Sequence, residues 1–496
     1  VDLSDLPIEL GPCSNGEYDP VAPSPIAREA QRRARADCDD NARRTGLSRR
    51  RFLRSVCGAA TTLLAINACS EESARQVTRR RPGGTFSLPP TSAVDPDAAR
   101  AALAGDEFVF DVQGHFLEYG ALEPATAQGR DFWTGFPQRD CGEADPRVCY
   151  SVDHFMEEVF LRSDTSMVAL SALPIAPEGS PMSADAMDRA RRLTEAACHD
   201  QRVLLHAQAL PNVGDLQANL DAMSGAVAQH PIVCWKVFTN FPDLYDGSGN
   251  AWRLDDGEPA LARVGDAFLR HAVELGVPTV AAHKGLSTTL GYSSAFASPA
   301  DVGPAARAHP DVRFLVYHSG FEADTVEGPY EPATADQGVN RLVTSMQGAG
   351  IGPNQNVYAE LGTTWWALLG RPDEAAHVLG KLLVHVGEDN VLWGTDAVFY
   401  GSPQGQIQAF RAFQISEQFQ EQFGYPALTD EIKRKVLGLN AVRLHDVDPV
   451  TVPCTFTRDE LDQLRTALPV STQARGPRTP RELRSYVARE RADHGV

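Results

Sequence analysis

The chain has 496 residues, of which 43% are hydrophobic and 22% charged. That composition fits a folded protein with room for one barrel-sized domain and appendages. The net charge of −19, with no basic patch outside the N-terminus, argues against a nucleic-acid binder. The first 84 residues carry 14 Arg, no Lys and 11 acidic residues, so the remainder is net −22.

Residues 1–47 form a forward extension, and the first Met is Met156. A non-Met start codon or an over-extended reading frame would account for both. The extension is expected to be disordered, or weakly helical around Ile26–Arg35. Ser48-Arg49-Arg50-Arg51-Phe52-Leu53-Arg54 precedes an uncharged run, Ser55 to Ala68, and together they resemble a twin-arginine export signal. The run is shorter than the roughly 20 apolar residues needed to span a bilayer. Ile66-Asn67-Ala68-Cys69 resembles a lipoprotein processing site, with Cys69 as the acylated residue. Residues 48–69 therefore imply the twin-arginine export machinery as a partner, a periplasmic or cell-surface location and a candidate lipid anchor. Residues 70–105, with Arg81-Pro82-Gly83-Gly84 and Leu88-Pro89-Pro90, read as a linker.

A repeating pattern begins at residue 106. Phe108–Val112 is a short apolar run bounded by Gly105-Asp106 and Gly114, which predicts a buried strand. A long segment, Leu117–Val148, follows, with Phe132, Trp133 and Phe136. Cys141 and Cys149 flank a loop within it, where a local disulfide and free thiols are equally open. The nine cysteines include no Cys-x-x-Cys zinc pattern. Further strands are predicted at Met167–Leu173, Arg202–Leu210, Ile232–Phe238, Pro278–His283, Val312–His318, Asn356–Leu361 and Val391–Thr395. Helices are predicted between them at Val152–Phe160, Ala184–His199, Leu216–Gln229, Pro259–Leu275, Pro299–His309, Val339–Gly348 and Pro372–Val386. Eight nearly continuous apolar strands, with a helix between successive ones, predict an α/β fold, a (β/α)8 TIM barrel over residues 106–448. No Gly-x-Gly-x-x-Gly loop follows the first strand, which speaks against a doubly wound sheet. Residues 449–496 are expected to form a helical tail, with helices at Thr457–Ala467 and Pro480–Arg491 and a role in packing or in a homodimer.

Polar residues fall at or near the C-terminal ends of these strands: Gln113, His115, His206, Lys236, His283, His318, Glu360 and Asp396. In a barrel those ends ring one mouth, where active sites sit. Burying so many unpaired polar groups is costly, and a divalent ion held by imidazoles and a carboxylate removes the cost. Trp365, Trp366 and Tyr400 lie on mouth loops, where they line a substrate pocket or simply pack.

The sequence Asp111-Val-Gln113-Gly-His115, with His283-Lys-Gly, His318-Ser-Gly, Gly394-Thr395-Asp396 and Asn440-Ala-Val-Arg443, resembles the amidohydrolase superfamily. Within it the match is to the amidohydrolase-related branch that includes aminocarboxymuconate-semialdehyde decarboxylase. The resemblance spans about residues 106–447. It implies one divalent metal ion, zinc first, with manganese or iron as alternatives, held by His115, His283 and Asp396. It implies Asp396 and His318 as acid/base groups, with His206 near the substrate and Lys236 and Glu360 as substrate contacts. Gln113 departs from the family's first His; related decarboxylases carry Glu there, so an oxygen ligand has a precedent. The implied activity on a small-molecule substrate is hydrolysis, metal-activated water attacking an ester, lactone or amide carbonyl. The alternatives are non-oxidative decarboxylation of an aromatic or unsaturated carboxylic acid, and a metal-free ligand-binding barrel.

Overall fold

The structure, a computed structural model, describes residues 6–78, 81–118, 146–175, 180–198, 201–241, 243, 249–289, 292–449 and 479. Eight strands form one sheet: β1 (Val109–Gly114), β2 (Thr165–Ser171), β3 (Val203–Gln208), β4 (Ile232–Phe238), β5 (Thr279–His283), β6 (Arg313–Tyr317), β7 (Val357–Glu360) and β8 (Val391–Leu392). Each pairs in parallel with its neighbour in sequence. The two edges meet: the Val112 amide donates to the Trp393 carbonyl at 3.0 Å and the His115 amide to the Ala397 carbonyl at 2.6 Å. The sheet is thus an eight-stranded barrel, as the apolar runs predict.

Phe110, Val112, Met167, Ala169, Leu204, Leu315, Tyr317 and Leu392 belong to one buried cluster inside the barrel. A late helix, Asn440–His445, contributes Ala441 and Leu444 to it. Most of the remaining buried apolar residues form a larger cluster that takes in the helices and the outward faces of the strands.

One predicted helix starts later than expected. Pro259–Leu275 is helical only over Gly265–Glu274. The Asp256 carboxylate accepts from the amides of Gly265 at 2.9 Å and Asp266 at 3.0 Å, which fixes the first turn there.

The N-terminal region differs most from expectation. In place of disorder over residues 1–47, helix α1 spans Pro25–Thr45, capped by the Ser24 hydroxyl and closed by Gly46 at φ 68°. Helix α2 spans Arg49–Leu53 and helix α3 Val56–Ser73. Ala30, Ala34 and Cys38 on α1 and Cys57, Leu63, Ile66 and Cys69 on α3 are buried in the same apolar cluster. Small residues at helical spacing let two helices approach closely. The 70–105 linker also carries structure: Gly84–Phe86 pairs antiparallel with Phe413–Ile415, and helix α4 spans Pro96–Leu103. The Asn67 side chain fixes that strand, accepting from the Phe86 amide at 2.9 Å and donating to its carbonyl at 2.7 Å. Among the described residues, no helix is long and apolar enough to cross a membrane. The expected tail helices, the aromatic residues of 132–136 and Cys141 lie outside the described residues; Cys149 is disulfide-bonded.

Candidate active site

β1 leaves the ladder at Gly114 and delivers Gln113 and His115 to the mouth. The His115 Nδ1–H donates to the Ser171 carbonyl at the end of β2, 2.6 Å away. A carbonyl only accepts, so Nε2 is the nitrogen turned inward, 3.0 Å from Asp396 Oδ1. His318 repeats the device after β6: its Nδ1–H donates to the Gly362 carbonyl at 2.8 Å, which leaves Nε2 aimed into the mouth with no hydrogen-bond partner. His283 ends β5, stacks on Phe238 and meets His318 edge to face at 4.8 Å between ring centroids. Its Nδ1 also lacks a hydrogen-bond partner. Burial, first, pushes both His283 and His318 below the usual imidazole range, His318 to about 4, so both rings are neutral at pH 7.

Asp396 faces these nitrogens. Its Oδ2 accepts from the Thr363 hydroxyl and from the Asn15 amide, each at 2.6 Å, and its Oδ1 from the Gln113 amide at 3.2 Å. Burial pushes this carboxyl up, but the hydrogen bond and favourable electrostatics of His115, the nearby His318 imidazole and the Thr363 hydroxyl override it and hold it at about 2. Asp396, Thr363 and His318 sit at φ 56°, 58° and 63°, in the left-handed region that non-glycine residues seldom occupy. Three such residues, one from each of three adjacent strand ends, mark a site whose geometry is over-determined by its surroundings.

Asp111 explains how β1 and β8 are locked. Its Oδ1 accepts from the amides of Gln113 and Thr395, both at 3.0 Å, and its Oδ2 from the Thr395 hydroxyl. Glu360 does the same for β6 and β7, accepting from the amides of His318, at 3.0 Å, and Gly362. Glu360 is thus a positioning residue for His318 rather than an open substrate contact. A Cβ on Gly394 would overlap its carboxylate, and a Cβ on Gly362 would overlap both Glu360 and Gln113.

Lys236, on β4, is fully buried, and its ammonium has no hydrogen-bond partner. It lies 3.7 Å from the Tyr317 ring centroid and 4.6 Å from that of Phe238. Burial lowers its pKa to about 8 against the opposing charges of Glu17, Glu360 and Asp396. Among the site residues expected from sequence, it is the one that brings a positive charge toward the mouth.

Four expected site residues lie elsewhere or are covered. His206 points into the barrel interior: its Nδ1–H donates to the Tyr317 hydroxyl at 2.8 Å, which itself donates to the Val112 carbonyl at 2.6 Å. The His206 ring lies 5.2 Å from that of His445 on the closing helix. Trp365 is buried against Phe410 and Phe413, its indole N–H donating to the Gln406 carbonyl at 3.0 Å. Trp366 is stacked on Tyr400 at 4.4 Å, and Tyr400 bonds the Thr363 hydroxyl at 2.9 Å, which keeps both beside Asp396. The Tyr400 hydroxyl also lies 3.1 Å from that of Tyr18, so the N-terminal segment covers this aromatic pair.

That segment is the part of the site the sequence reading missed. Leu6, Ile8, Leu10, Cys13, Ser14, Asn15 and Tyr18 are buried, and Glu17 lies against His283 and His318.

The donor set of neutral imidazoles and a carboxylate, with nitrogens left unpartnered in a buried mouth, fits a divalent transition ion. Residues 244–447 match the family model described as Amidohydrolase. The second half of the barrel thus matches the amidohydrolase family. The matched segment takes in β5 to β8 and therefore His283, His318 and Asp396. No curated protein matches the sequence. Among solved structures, the chain is similar to an uncharacterized TIM-barrel protein from Bordetella bronchiseptica, at 12% identity and a TM-score of 0.41, covering 68% of this chain and 97% of that one. It is similar to 4-oxalomesaconate hydratase from Rhodopseudomonas palustris, at 15% identity and 0.41, covering 68% and 96%. It is also similar to a dihydroxybenzoic acid decarboxylase from Polaromonas with bound manganese and an inhibitor, at 15% identity and 0.35, covering 68% and 97%. The family match supports an enzyme of hydrolase or lyase type.

Proposed function

We propose that the chain is a divalent-metal-dependent hydrolase that opens an ester, lactone or amide of a small molecule. The observation that carries the reading is a buried mouth in which His115 Nε2 lies 3.0 Å from Asp396 and the Nδ1 of His283 and Nε2 of His318 are left without hydrogen-bond partners. His115, His283 and Asp396 would hold a divalent ion there, which when bound would supply polarisation of a carbonyl and acidification of a water. Asp396, ionised at neutral pH, accepts the proton from the attacking water and returns it to the leaving oxygen or nitrogen. His318 cannot donate from Nδ1, which Gly362 occupies, so its Nε2 acts as an acceptor. Negative charge developing on the carbonyl oxygen, or a carboxylate elsewhere on the substrate, falls to Lys236.

Lys236 also favours a second reading, non-oxidative decarboxylation, because an unpartnered buried ammonium suits a substrate carboxylate. A panel of lactones, esters and amides, run beside aromatic acids with carbon dioxide detection, tests both. Turnover of the first set alone supports hydrolysis, and carbon dioxide release alone supports the second reading. Lys236→Met is expected to lower kcat/KM at least about tenfold on whichever set is turned over; unchanged kinetics would remove Lys236 from either mechanism.

We also propose that residues 48–69 direct export, with Cys69 as the anchor. Arg49, Arg50 and Arg51 are exposed, Arg49 paired with Asp39, and their exposure supports that reading. Recovery of the expressed chain in the cytoplasm alone would overturn it.

A further inference from the structure

We propose that the N-terminal segment is part of the metal centre, with Glu17 supplying a second carboxylate ligand beside Asp396. This rests on the divalent-ion reading of the barrel mouth.

The segment presents Glu17 on a tight turn. The Ser14 hydroxyl donates to the Tyr18 carbonyl at 2.6 Å and accepts from the Gly16 amide at 3.0 Å. The Asn15 carbonyl oxygen accepts from the Glu17 amide at 2.9 Å. The Tyr18 hydroxyl donates to the Cys13 carbonyl at 2.6 Å. The turn is docked on the barrel through Asn15, whose amide contacts both Asp396 Oδ2 and Glu17 Oε2 at 2.6 Å. One neutral amide therefore lies between two carboxylates, a pair that a cation would stabilise.

Glu17 Oε1 lies 3.4 Å from His283 Nδ1, and Oε2 lies 3.6 Å from His318 Nε2. The three donor atoms of Glu17, His283 and His318 fall within 4.8 Å of one another. Neither imidazole nitrogen makes a hydrogen bond to the carboxylate. The spacing instead suits two ligands of one ion: bonds of about 2.1 Å in a tetrahedron set ligand atoms about 3.4 Å apart.

The barrel needs such a ligand. On β1, Gln113 donates its amide to Asp396, and its Oε1 lies toward Gly362, where an added Cβ would strike it. It offers no charge to an ion. His115 and His283 are neutral as ligands, and Asp396 contributes one negative charge. Glu17 contributes a second, so the set balances a divalent ion. Processing at Cys69 would remove Glu17, so the chain before and after processing would differ in metal affinity.

The test uses the full chain, stripped of metal, with zinc titrated against a chromophoric chelator and cobalt binding followed by visible absorption. Wild type, Glu17→Gln and His283→Ala are compared, and unfolding midpoints without metal confirm that each variant is folded. Glu17→Gln is expected to weaken zinc at least about tenfold and to shift the cobalt spectrum. Zinc binding by Glu17→Gln equal to wild type, with an unchanged cobalt spectrum and binding lost in His283→Ala, would overturn the Glu17 assignment and leave the barrel site standing. Absence of zinc binding by wild type itself would instead overturn the metal reading on which the assignment rests.

Discussion

Asp111 offers the sharpest single test of how the site is built. Its buried carboxylate accepts from two main-chain amides and one hydroxyl, and all three donors belong to the segments that carry Gln113 and Asp396. Asp111→Ala would strand those donors in a dry interior. Each unpaired buried donor costs roughly 1–3 kcal/mol. The loss is offset in part by relief of burying the carboxyl, a cost visible in its pKa, which burial raises to about 7 against the pull of these hydrogen bonds. A net loss of about 3–5 kcal/mol is expected. Asp111→Asn should cost less than about 1.5 kcal/mol: its oxygen retains both amide donors, and the Thr395 hydroxyl turns to accept from the new amide. Urea titrations followed by circular dichroism and tryptophan fluorescence measure both variants. Elemental mass spectrometry on the same samples should show metal lost from the alanine variant first. An alanine variant within about 1 kcal/mol of wild type, or an asparagine variant as damaged as alanine, would refute the reasoning.

Two further outcomes are expected. Gly394→Ala should push the Glu360 carboxylate off the His318 and Gly362 amides, destabilise the chain by about 1–3 kcal/mol and depress activity; Glu360→Asp in the same chain should recover part of the loss, and strict additivity of the two would exclude the steric cause. His377 carries a pH prediction away from the site. Burial, then the charge of Lys381, lowers its pKa to about 4, so between the unfolded value of about 6.5 and pH 4 the unfolded chain binds more protons. Its contribution is therefore intact above pH 6.5 and lost as pH falls toward 4, by at most roughly 3 kcal/mol. The stability difference between wild type and His377→Gln should fall over that window, and a flat difference would show that the ring is not held neutral.

The barrel was legible because parallel strands buried on both faces read as unbroken apolar runs, and because their polar residues gather at one end. The eighth strand, expected over Val391–Thr395, pairs with β7 only over Val391–Leu392, since Thr395 turns to bond Asp111 and Asp396 adopts a left-handed backbone. Trp365 and Trp366 show a limit of residue type as a guide: consecutive positions on a short helix differ by about 100°, so one enters the core and the other covers the mouth. In the leader, the arginine-rich pattern drew attention from the spacing of Ala27, Ala30, Ala34 and Cys38, which was the available sign of a packed helix. Asn15 and Glu17 had no such sign. Their partners lie on β5, β6 and the segment after β8, hundreds of positions away, and no local periodicity encodes a contact across that separation.

The proposed site holds one divalent ion through His115, His283 and Asp396. The direct measurement is metal content of the full-length chain by elemental mass spectrometry, for wild type, His283→Ala and His206→Gln. About one ion per chain is expected in wild type and in His206→Gln, whose ring lies in the barrel interior, with little left in His283→Ala. An ion retained in full by His283→Ala, or no ion in wild type after loading, would contradict the account.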